Sequence, residues 1–92
     1  MNFELMKTEN IILDLSFNFS LSIIELYKKL VDAKEFVISK QLLRSATSVG
    51  ANVEEALAGQ TRKDFIAKMS IASKEARESR YWLRLLKESK MV

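Results

Sequence analysis

Ninety-two residues, 48% of them hydrophobic, with no proline and two glycines, describe one folded domain over 1–92 rather than a disordered chain. With neither cysteine nor histidine, the chain lacks disulfides, thiolate and imidazole metal ligands, thiol nucleophiles and the commonest general base. The net charge of +3 is unevenly spread: residues 1–61 hold six basic and eight acidic side chains, while 62–92 hold nine basic and four acidic.

The N-terminal MNFELMKTEN lacks a basic region followed by an apolar run, and no segment approaches the roughly 20 continuous apolar residues that span a bilayer. A cytoplasmic protein without membrane contact is expected. A domain of this size buries a modest fraction of its surface, and without a disulfide or a metal the remaining source of stability is a neighbouring subunit.

From about residue 10 to 31, Ile12, Leu15, Phe19, Ile23, Leu26 and Leu30 recur every three or four positions, which predicts a helix. Leu13, Phe17, Leu21 and Ile24 repeat the spacing on an adjoining face, so this helix needs at least two neighbours. Asp32 followed by Glu35 has the form of a capping box and places a second helix at about 33–58. Its stripe, Ile38, Leu42, Ala46, Val49, Val53 and Leu57, runs without a break in phase through the small residues of RSATSVGANVEEA, Arg44 to Ala56. That continuity predicts helix rather than loop, with Ala46 and Gly50 at a close approach of two backbones.

Gly59 is placed to end that helix in a left-handed conformation, and Thr61 with Asp64 starts a third helix over about 62–88. The third helix carries Phe65, Met69, Ala72, Ala76, Leu83 and Leu86, widened by Ile66, Trp82 and Leu85. No strand pattern competes, and short connections force neighbours antiparallel, so the expected fold is an all-α, antiparallel up-down helical bundle with three helices visible.

RSATSVGANVEEA, the turn TRKDF and KEARESRYWLRLL at 74–86 together resemble the bacterial four-helix-bundle proteins encoded in intervening sequences of large-subunit ribosomal RNA genes. That family is similar in architecture to the accessory protein of diversity-generating retroelements, a basic bundle forming a pentameric ring that engages nucleic acid. The resemblance implies a homo-oligomer, with a pentamer as one expectation, and RNA or DNA as a partner. It also implies a fourth helix beyond Val92 that is missing or truncated here, leaving an apolar groove for another chain.

Glu54, Glu55, Glu75 and Glu78 raise a di-metal reading, but the Glu-x-x-His pairs of such sites are absent, and no metal or cofactor is expected. A structural network is the better reading: Arg44, Asn52 and Glu55 on one flank of the second helix, with Glu75 and Glu78 on the third, and Arg44 paired to one of the latter two. Arg77, Arg80, Arg84 and Lys87 recur at three, four and three residues, with Lys74 beside them. The stripe is either a phosphate-binding site without base readout or a solvated face whose Arg84–Glu88 and Lys74–Glu78 pairs form at i, i+4. Tyr81 and Trp82 are expected at an interface rather than as base-stacking groups. No hydroxyl has an activating base, so the function expected is non-enzymatic: nucleic-acid binding or scaffolding, or alternatively a homo-oligomerisation module that binds a protein partner.

Overall fold

The computed structural model describes the backbone of residues 3–91 and the side chains of residues 11–91; residues 1, 2 and 92 of the expected domain lie outside the described residues. Three helices follow one another, α1 (Phe3–Asp32), α2 (Ile38–Ala58) and α3 (Arg62–Glu88). The molecule is elongated, 47 × 21 × 18 Å, as a 30-residue helix requires at about 1.5 Å per residue.

The all-helical character expected from the periodicity stands, and the bundle is corrected in two respects. The described residues form three helices and no strand, and that a fourth helix is missing or truncated is not confirmed; that expectation came from the resemblance and from no residue of this chain. The three helices also do not close on one another along their whole length. α2 packs against both neighbours, whereas among the described residues no Cα of α1 comes within 8 Å of one in α3.

Both packed pairs are antiparallel. Ser20 reaches Ala46, and Gly50 lies against Ser16, across α1 and α2. Ser45 meets Ser79, and Glu55 meets Lys68, across α2 and α3. At the end of the molecule near the first turn, Ile23 and Leu30 of α1, Leu42 and Ala46 of α2 and Leu86 of α3 form the core, flanked by Phe19, Leu26, Ile38, Leu43, Trp82 and Leu83. Towards the other end the buried side chains shrink to Val53, Ala56 and Ala72, and α1 and α3 stand apart over α2.

The first turn differs from the capping box expected at Asp32. α1 runs through Asp32, and Lys34 adopts a left-handed conformation, φ 65°. The Lys34 amide donates to the Val31 carbonyl at 2.9 Å and the Glu35 amide to Leu30 at 2.8 Å, the two bonds of a Schellman ending. α2 therefore begins at Ile38, five residues after the expected start. Glu35 still caps it, from outside the helix: its Oε1 accepts from the Val37 and Ile38 amides, and its Oε2 from Ser39 at 2.6 Å. Burial opposes ionisation of Glu35, but the hydrogen bonds from Ile38, Ser39 and Val37 outweigh it and hold the carboxyl below its ordinary value.

At the second turn the Thr61 hydroxyl accepts from the Asp64 amide at 3.0 Å, the N-cap expected there. Gly59 is not left-handed; at φ −61°, ψ 143° it is extended, which corrects that expectation. What favours glycine is proximity, since a Cβ would stand 3.1 Å from the Ala56 carbonyl oxygen and 3.4 Å from Asp64 Cβ. α3 ends as α1 does, with Lys90 at φ 62° and the amides of Lys90 and Met91 donating to Lys87 and Leu86.

Candidate nucleic-acid interface

The packing of α3 decides which of its side chains remain free. Ala72, Ser79 and Leu86 are spaced seven residues apart and buried, which turns the same side of every second turn towards α2. Lys74, Arg77, Arg80, Arg84 and Lys87 fall off that line and are exposed. Among the described residues, no carboxylate oxygen comes within 4 Å of any of the five cations. The i, i+4 pairs Arg84–Glu88 and Lys74–Glu78 are therefore not made. Glu78 instead turns to α2, where its Oε2 lies 3.7 Å from Arg44 and accepts from Trp82 Nε1 at 3.1 Å.

The stripe is not uniform. Arg80 lines the apolar groove between α1 and α3, beside Ala76 and Leu83. Arg77 and Arg84, two turns apart, share an outward face about 10 Å long. Desolvating an arginine is less costly where aliphatic neighbours receive its stem, so Arg80 is suited to an edge, whereas Arg77 and Arg84 stand open to solvent.

The five residues of the expected network do not join. Arg44 pairs with Glu78, and at 3.7 Å with Arg44 68% exposed this is a weak contact, worth well under about 1 kcal/mol. Glu55 pairs with Lys68 at 2.6 Å, a partner the sequence reading missed; its position one helical repeat from Ala72 was the available signal. Asn52 bonds within α2, donating to the Ser48 carbonyl at 2.8 Å and to the Ser48 hydroxyl at 3.1 Å. Glu75 has one buried oxygen, Oε2, with no hydrogen-bond partner among the described residues. Glu54 is exposed, so the four glutamates are dispersed, and no group of three or more potential metal ligands exists among the described residues.

Tyr81 and Trp82 part company. Trp82 packs against the core with its indole nitrogen tied to Glu78, whereas Tyr81 is 55% exposed and meets the Trp82 ring edge-on, centroids 5.0 Å apart. Gly50 is buried where α1 crosses α2, a Cβ there standing 3.3 Å from Ser20 Oγ and 3.4 Å from the Ser16 carbonyl oxygen, with Ala46 buried one turn away. Among the described residues no helix is long and apolar enough to cross a membrane.

Sequence and fold agree on the chain's relatives. The family model of the 23S rRNA-intervening sequence protein matches residues 8–92. The structure superposes with a TM-score of 0.89 on a protein of unknown function from the S23 ribosomal protein family of Bacteroides thetaiotaomicron, at 52% identity over 91% of this chain and 76% of that one. No curated protein matches the chain.

Proposed function

The chain belongs to the 23S rRNA-intervening sequence protein family, and we propose that it acts without catalysis, as a self-associating cytoplasmic helical protein that holds nucleic acid by its phosphates. The observation that carries this reading is the set of five exposed α3 cations with no carboxylate partner among the described residues. A solvated helix face gains by pairing its cations with neighbouring carboxylates, and here Glu78 faces inward instead. Arginine is suited to phosphate because its planar fork donates two parallel hydrogen bonds. Contacts of this kind give affinity without base readout, and self-association would add them through effective concentration.

The test is a salt titration. Affinity for RNA and single-stranded DNA of unrelated sequences should fall linearly on a logarithmic plot as salt rises, with a slope set by the number of phosphates engaged. Absence of binding at low salt removes the phosphate reading and leaves a homo-oligomerisation module. That alternative draws on a separate observation: Ile11, Leu15, Phe17 and Leu21 of α1 are each about half or more exposed, at 50%, 65%, 59% and 47%.

A further inference from the structure

A tyrosine stands among the unpaired cations of α3. Two residues turn about 200° around a helix. Lys74 and Tyr81 each follow a buried residue, Ala72 and Ser79, by two positions, and Arg77 and Arg84 each precede one, Ser79 and Leu86, by two. All four therefore share the face of α3 that points away from α2, and none of them lines the groove between α1 and α3. Glu88, two positions after Leu86, ends this cationic face.

The ring of Tyr81 is held in place. Trp82 packs against the core with its indole nitrogen tied to Glu78 at 3.1 Å, and its ring meets that of Tyr81 at an interplanar angle of 70°, centroids 5.0 Å apart. An edge-on contact covers at most one face of the tyrosine, so with the residue 55% exposed the other face stays open. Arg77 stands four residues before it, about 6 Å along the axis, and Arg84 three residues after it, about 4.5 Å. Neither guanidinium has a carboxylate oxygen within 4 Å among the described residues. An open aromatic face is thus flanked on both sides by free cations.

We propose that Tyr81 is a stacking platform for one base of a single-stranded nucleic acid whose neighbouring phosphates are held by Arg77 and Arg84. This rests on the phosphate binding put forward above and names the class of nucleic acid that it serves. Every base has a π-face, so stacking of this kind adds affinity without selecting a sequence. Phosphate contacts by themselves serve a single strand and a duplex alike. The bases of a duplex are paired and stacked on one another, whereas those of a single strand can be splayed onto an aromatic side chain. Tyr81 therefore contributes to one of the two and not to the other.

Fluorescence anisotropy at low salt tests this with three labelled probes: an unstructured single strand, the duplex of the same sequence, and an abasic strand of the same length. Tyr81→Ala should weaken binding of the single strand at least about fivefold and leave that of the duplex unchanged. Its salt slope should match the parent's, since no phosphate contact is removed. Tyr81→Phe keeps the ring and should bind as the parent does. The parent should bind the abasic strand as weakly as Tyr81→Ala binds the intact one, a measurement that stands even if a variant loses helicity. A parent that binds none of the probes overturns the platform together with the phosphate reading. A parent whose salt-dependent affinity is the same for intact and abasic strands overturns the platform alone. So does a Tyr81→Ala variant that weakens single strand and duplex equally, or one whose mass by light scattering falls, which would place Tyr81 at a protein interface.

Discussion

The Ser79 hydroxyl lies 2.9 Å from that of Ser45 at the crossing of α2 and α3, with both side chains at 1% exposure or less. Ser45 donates to the Leu42 carbonyl at 3.2 Å, and Ser79 has a second acceptor in the Glu75 carbonyl at 2.9 Å. Its single proton serves one acceptor at a time, so the pair is satisfied even if one member is lost. Ser45→Ala should therefore cost about 1 kcal/mol, the net worth of one hydrogen bond. Ser45→Leu should cost more, about 1–3 kcal/mol, because the two backbones would have to separate. Thermal melts distinguish the outcomes: equal midpoints for alanine and leucine would mean that the crossing is loose.

At Gly50 two effects oppose one another. Alanine gains about 1 kcal/mol of helix propensity over glycine, while its Cβ would stand 3.3 Å from Ser20 Oγ, so that hydroxyl must shift by a few tenths of an ångström. Ser20 is a short side chain on an α1 that lacks other close restraints from α3, so Gly50→Ala should be within about 1 kcal/mol of the parent. Gly50→Leu should destabilise by about 1–3 kcal/mol, because the Ser16 carbonyl 3.4 Å away is backbone and cannot turn aside. Urea midpoints for the two variants check the contrast.

Ser45, Ala46 and Gly50 are legible as packed helix because an apolar stripe keeps its phase through them. The three elements and the Thr61 cap are legible for the same reason: each rests on a local pattern. The start of α2 is not, since Asp32 followed by Glu35 fits a capping box as well as it fits a Schellman ending with a glutamate behind it. Local sequence does not choose between them, and a lysine in a left-handed position gives no glycine signal. The two apolar flanks of α1 are also legible. That neither finds α3 in backbone contact is not, because periodicity reports how wide an apolar face is and not which neighbour covers it. The stripe of α3 is legible as a set of residues, while the turning of Glu78 away from Lys74 depends on Arg44 and Trp82, which no spacing rule connects.

Lys34 and Lys90 occupy left-handed positions at φ 65° and 62°, where a side chain is strained and glycine is not. Lys34→Gly and Lys90→Gly should each raise stability by up to about 1 kcal/mol, with Lys34 the clearer case because it joins two helices. A lower melting midpoint for Lys34→Gly would show that the lysine side chain contributes more than its backbone costs.

Glu35 carries the pH dependence. Its carboxyl titrates below the ordinary value of 4.5 in the folded chain, since the amides of Ile38, Ser39 and Val37 favour the charged form against the opposing effect of burial. A depressed folded value means that the stabilisation is fully present above about pH 4.5 and is lost as pH falls through the folded value. Glu35→Gln keeps one acceptor oxygen and no charge, so it should lose about 1 kcal/mol at neutral pH, in the range of a lost N-cap. Its difference from the parent should then shrink as the solution is acidified. A constant difference from pH 7 to pH 3 would show that the charge of Glu35 is irrelevant to the cap.

The position of Arg80 at the groove edge separates it from Arg77 and Arg84, and this gives a prediction in which their contributions to binding differ. Arg77 and Arg84 are exposed, two turns apart and free of carboxylate partners among the described residues, so replacing both by glutamine should leave helicity and molecular mass unchanged. Affinity for RNA and single-stranded DNA at low salt should fall, and the salt slope should become shallower by about 0.7 for each single-strand phosphate contact removed. Arg80→Gln alone should lower affinity less, because that guanidinium lies at the edge of the apolar groove rather than on the outward face. If the Arg77, Arg84 double variant binds with the parent's affinity and slope, the outward stripe is a solvated face. If Arg80→Gln weakens binding as much as the double variant does, the separation of the groove edge from the outward face is wrong.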